Sequence, residues 1–148
     1  MQSSQLLILG DAPCLDADLA TLGEFRGPVM AVNRAGVRHL GRIDFWCSYH
    51  PELFAVERLA DLREDRGGNT DYRLVFGRDV RDIPLSGSST LLGVIWGLQR
   101  YGEIILAGAP MEAPDYHKYR VGWENEAKHL AGRVRSLSGW TKSFLEAL

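Results

Sequence analysis

Short apolar runs alternate with stretches of helical periodicity along nearly the whole chain, and that alternation leaves few folds open. Residues 5–9 (QLLIL), 28–32 (PVMAV), 43–48 (IDFWCS), 72–76 (YRLVF), 103–106 (EIIL) and 134–137 (VRSL) read as six strands. The first is continuously apolar, the pattern of a strand covered on both faces. Helices are predicted at 16–23, from about 53 to Gly67, at 88–101, at 124–133 and at 140–148. Such alternation implies a single α/β, Rossmann-like domain over residues 1–148. Its core would be one doubly wound, mainly parallel sheet of about six strands with helices on both faces.

Two of these helices carry more detail. In 53–66, Leu53, Val56, Leu59, Ala60 and Leu62 fall on one side, with Glu57, Arg58, Asp61 and Arg63 on the other. Pro51 suits its start and Gly67-Gly68 its end. In 88–101, Leu91, Leu92, Val94, Ile95, Trp96 and Leu98 cover most of the circumference, so the helix should lie buried or under a partner. With four tryptophans in the chain, this raises the expectation of a homo-oligomer.

Composition excludes several function classes. A net charge of −2 does not suit a nucleic-acid binder, which presents a basic face. No run of 18 apolar residues suggests a transmembrane segment, and the start of the chain lacks the basic region and cleavage site of a signal peptide. Cys14 and Cys47 lack metal-ligand spacing and read as reduced thiols of a cytoplasmic protein.

In open α/β sheets ligands bind beyond the carboxyl ends of the strands. The residues there are Gly10-Asp11-Ala12-Pro13, Asn33-Arg34, Ser48-Tyr49-His50, Gly77-Arg78 and Gly108-Ala109-Pro110. The first turn is neither a dinucleotide fingerprint nor a P-loop. Gly10 permits close backbone approach, while Asp11 would repel a phosphate directly over the turn. Ser86-Gly87-Ser88-Ser89-Thr90 opens the apolar helix with hydroxyls and free amides, which suits an anion as well as a simple cap. Asp16-Ala17-Asp18 has the D-x-D form of metal-dependent transferases, but acids also suit a helix's first turn, and no metal ligand is assigned. His39, beside Arg34, Arg38 and Arg42, and His129 read as solvated. His50 and His117 are candidate bases, the latter within Asp115-Tyr116-His117-Lys118-Tyr119-Arg120, a set able to hold a phosphate and deprotonate a hydroxyl.

The ordered segments LLILGDAPCLD, VMAVNRA, IDFWCSYHPELF and LSGSSTLLGVIWGLQRYGEIILAGAPM resemble the bacterial sialyltransferases of glycosyltransferase family 42. They also resemble the related group of Maf flagellin-modification proteins and archaeal 6-hydroxymethylpterin diphosphokinases. The resemblance runs from about Leu6 to Met111. It implies a CMP-sugar donor, with no metal and no further cofactor. Gly10, Asp11 and Pro13 would line the nucleotide, Asn33 would meet its base or ribose, and His50 would stand where the family has asparagine. Ser86, Gly87 and Ser88 would also touch the nucleotide. Tyr116 and Tyr119 would bind phosphate and His117 would be the general base. The chain departs from the family at Asp11 for asparagine, at Cys14 for serine, at Ala109-Pro110 for an Ile-Asp pair, and in a much shorter lid after Met111. The expected function is a nucleotide-sugar-dependent, sialyltransferase-like enzyme. A Mg²⁺-dependent pyrophosphokinase-like enzyme and a non-catalytic nucleotide-binding or assembly module are the alternatives.

Overall fold

The computed structural model describes residues 4–80 and 88–148. The chain runs β1 (Gln5–Leu9), α1 (Leu15–Leu22), β2 (Val29–Val32), α2 (Ala35–Arg38), β3 (Phe45–Ser48), α3 (Pro51–Val56), α4 (Leu59–Asp65) and β4 (Arg73–Phe76). It continues α5 (Ser88–Leu98), β5 (Glu103–Ala107), α6 (Arg120–Asn125), α7 (Ala127–Leu130), β6 (Val134–Ser136) and α8 (Gly139–Glu146). The six strands form one sheet in the order β4-β3-β2-β1-β5-β6, every neighbouring pair parallel.

The apolar run of β1 places it at the centre. Leu6 and Ile8 point into one core and Leu7 and Leu9 into the other, all four buried. The first core holds α5 with Trp96 and Trp123. The second holds Leu15, Ala35 and Leu59, from α1, α2 and α4, around Trp46. Helix α5 contacts β1, β2, β3 and β5, and its residues from Ser89 to Gly97 are buried by the chain itself. It can sit that close because Gly93 and Gly97, one turn apart, present no side chain to the sheet. A Cβ on Gly93 would lie 2.9 Å from Met30 Sδ, and one on Gly97 2.7 Å from Ile104 Cδ1. The apolar face of this helix therefore supplies no reason to expect a partner.

Two predicted helices come out differently. The one from 53 to Gly67 is interrupted: Arg58 takes a left-handed conformation with φ 53°, separating α3 from α4. The break resets the helical phase. Val56, read as core, is 77% exposed, whereas Arg63, read as solvent-facing, is fully buried. The predicted 124–133 helix begins earlier and is broken: a 3₁₀ stretch, Pro114–Tyr119, leads into α6, and α7 follows. No helix among the described residues is long and apolar enough to cross a membrane.

Candidate functional site

Chain order explains where a cleft must open. From β1 the strands step outward through β2, β3 and β4, and the chain then returns to place β5 on the other flank of β1. The loops after β1 and β5 therefore diverge, and the gap between them is the topological switch point at which such sheets bind ligands. At its base the two strand ends touch. Gly10 N donates to Ala107 O at 2.8 Å and Ala12 N to Gly108 O at 3.1 Å. A Cβ on Gly10 would lie 2.3 Å from Gly108 O, and one on Gly108 2.6 Å from Gly10 O. Only glycine fits at this crossing, and Gly108 has φ +69° besides.

Two buried or half-buried side chains hold that floor in place. Arg38 reaches beneath the first turn and donates to Ala12 O at 2.7 Å and Asp11 O at 3.3 Å, with its other Nη 3.5 Å from Pro13 O. The solvated role expected for it does not hold; its guanidinium is bound to the turn. Asp18 braces from the other side. It is 4% exposed, and its Oδ2 accepts from Gly108 N and from Ser138 Oγ, each at 2.8 Å. Ser138 Oγ also lies 3.2 Å from Cys14 Sγ, and Thr141 Oγ1 donates to Ala109 O at 2.7 Å. The segment before and into α8 thus grips the turn after β5. Asp16 is turned outward, its side chain 85% exposed, so the D-x-D pair does not face one site. Among the described residues no group of three or more His, Cys, Asp or Glu is placed to hold a metal.

The walls come from β2, β3, α3–α4 and α5. Asn33 turns the chain at the end of β2 with φ 50°, a left-handed conformation that asparagine tolerates, and its carbonyl accepts from buried Trp46 Nε1 at 2.7 Å. Arg34 follows it. Tyr49 N, after β3, donates to Ser89 Oγ at 2.8 Å, tying that strand end to the start of α5. Phe54 and Leu59 supply apolar surface on either side of the α3–α4 break, with Glu57 at the rim. Ser88 has φ 79°, and its buried Oγ has no partner among the described residues. Pro110, Met111, Glu112, Ala113 and Tyr116 close the far side. The space enclosed is about 630 Å³, within the range of small-molecule and cofactor sites. Cys14 borders it, and burial raises its pKa, so it is a thiol rather than a thiolate at neutral pH. Buried Cys47 is pushed in the same direction.

Of the residues selected from the sequence, Gly10, Asp11, Pro13, Asn33, His50, Ser88 and Tyr116 line this one cleft. His117 and Tyr119 are not part of its lining. They stand just outside it, with His117 Nε2 3.0 Å from the carbonyl of Glu112 and the Tyr119 ring 6.2 Å from that of Tyr116. Gly77 and Arg78 do not line it either. Ser86 and Gly87 lie outside the described residues. His39, expected to be solvated, is half-buried, and burial lowers its pKa, whereas His129 is exposed as expected. Sequence reasoning missed Arg38, Asp18, Ser138 and Thr141 as the braces of the floor. Their partners are tens of residues away, and nothing local announces them. Comparison with known proteins adds no relative: no family model, no curated protein and no solved structure matches this chain.

Proposed function

We propose that the cleft holds a CMP-sugar donor and that the protein is a nucleotide-sugar-dependent glycosyltransferase of the sialyltransferase type. The observation that carries this reading is convergence: residues chosen from five separate segments meet in one cleft at the switch point of the sheet. Gly10 and Gly108 let the two strand ends close into a tight floor, Asn33 offers hydrogen bonds to a base or ribose, and Phe54 gives an apolar wall.

His117 is the general base in this reading. A carbonyl can only accept, so the neutral ring carries its proton on Nε2 toward Glu112 O and leaves Nδ1 free to take one. Glu112 itself lines the cleft, so the ring hangs from the rim. The acceptor hydroxyl gives its proton to Nδ1, its oxygen bonds the anomeric carbon, and the bond to the phosphate oxygen breaks, releasing CMP. Hydroxyls of Tyr116 and of the α5 start offset the charge on the departing phosphate.

Thermal unfolding with nucleotides tests this. CMP without metal, at about 100 times its dissociation constant, should raise the midpoint by about 5–10 °C. A rise with ATP that requires Mg²⁺ would favour pyrophosphoryl transfer instead, and no rise with any nucleotide would overturn the reading. His117→Ala should abolish transfer and leave CMP binding unchanged; surviving turnover would place the base elsewhere.

A further inference from the structure

The described lining of the cleft holds more acids than bases, so an anionic ligand needs a cation it can reach. Its described lining carries three acids, Asp11, Glu57 and Glu112, and a single arginine or lysine, Arg34. Other arginines near this edge are already engaged with backbone. Arg38 serves the carbonyls of the first turn and lies 3.7 Å from the carboxylate of Asp11, which it partly offsets, and Arg120 donates twice to Met111 O, at 3.0 and 2.8 Å, under the ring of Trp140. Arg34 differs in kind. Its Nη1 meets Glu57 Oε1 at 2.8 Å, and both side chains are half exposed, at 54% and 42%.

We infer that Arg34 is the cation of the cleft that pairs with a nucleotide phosphate, in addition to the hydroxyls of Tyr116 and the α5 start, and that Glu57 is its resting counter-ion, displaced when the phosphate arrives. The assignment rests on the nucleotide reading and adds to it the residue that recognises the phosphate. An exposed carboxylate partner holds an arginine weakly, so exchanging it is easy. A nucleotide phosphate returns more: two of its non-bridging oxygens accept two charge-assisted hydrogen bonds from the planar guanidinium, in a half-enclosed site. Position agrees with this. Arg34 directly follows Asn33, the turn at the end of β2, and Glu57 sits beside Arg58, whose left-handed conformation ends α3 and sets the carboxylate on the rim. Until ligand binds, Glu57 keeps the guanidinium over the opening; once it binds, the same carboxylate is a competitor.

Calorimetric titration with CMP and with cytidine, which lacks the phosphate, separates the possibilities. Arg34→Ala should weaken CMP about 10- to 100-fold and leave cytidine within about twofold. Glu57→Gln should tighten CMP about two- to fivefold with cytidine unchanged. Raised salt should diminish the CMP advantage in the wild type and not in Arg34→Ala. Equal loss of CMP and cytidine in Arg34→Ala, or loss of neither, overturns the assignment while leaving the nucleotide site standing. A wild-type protein that binds neither compound overturns both. Should Arg34→Ala fail to fold, Glu57→Gln decides alone, because it alters only an exposed carboxylate; unchanged CMP affinity there refutes the exchange.

Discussion

Replacing Arg63 by alanine is expected to lower the free energy of unfolding by about 3–5 kcal/mol, a large share of the whole for a domain of this size. The residue is fully buried, and each nitrogen of its guanidinium is used. Nε donates to Asn69 O at 3.0 Å. One Nη donates to Gly36 O at 2.9 Å and His39 O at 2.6 Å, the other to Gly41 O at 2.9 Å and Asn69 Oδ1 at 2.6 Å. These acceptors belong to the end of α2, the link to β3 and the loop after α4, so one side chain fastens three segments. Burial pulls its pKa below the usual arginine value, and five acceptors are what make a buried cation tolerable. Alanine would strand four backbone carbonyls in a cavity. Lysine keeps the charge but offers three donors in no fixed plane, so Arg63→Lys should recover only part of the loss. Urea unfolding followed by circular dichroism measures both. A loss below about 1 kcal/mol for Arg63→Ala would mean that water replaces the guanidinium without penalty.

Gly108→Ala should lower stability by about 2–5 kcal/mol and, on the proposed function, weaken CMP binding. Its φ of +69° costs an alanine about 1–2 kcal/mol, and the new Cβ would press on Gly10 O and on Leu15, adding about 1–3 kcal/mol. Gly67→Ala is the matched control. It has φ +88° but nothing within 4 Å of the added carbon, so it should show the backbone penalty alone. If the two variants unfold at the same denaturant concentration, the contact between the β1 and β5 ends is not tight, and the floor of the cleft is less rigid than its geometry implies.

The parts of the fold legible in the sequence are those whose signal is local. Leu6 to Leu9 is apolar on both faces, so a central parallel strand follows from it directly, and the segments beyond β1, β2, β3 and β5 supply residues that line the cleft. The α3–α4 break is not legible, because no glycine or proline marks Arg58 and the apolar spacing continues through it. Leu59 and Arg63, four apart, share a face in any helix; what the left-handed residue changes is Val56, which an uninterrupted helix would place with Arg63, seven residues on, and which faces solvent instead. Strand order is illegible for another reason: six strands and their helices do not say on which flank of β1 the chain returns. The braces Asp18–Ser138 and Thr141–Ala109 depend on that order and stay invisible with it.

The most direct test of the central claim is a map of backbone amide shifts on titrating the isotope-labelled protein with CMP. A ligand at the switch point should move Gly10 to Ala12, Cys14, Asn33 and Arg34, Ser48 to His50, Ser88 to Thr90, Gly108, Ala109 and Met111 together, with one shared saturation curve. Saturable shifts confined to the opposite sheet edge, near Ser4, Gly27 and Gly102, would contradict it, as would no shifts at millimolar CMP.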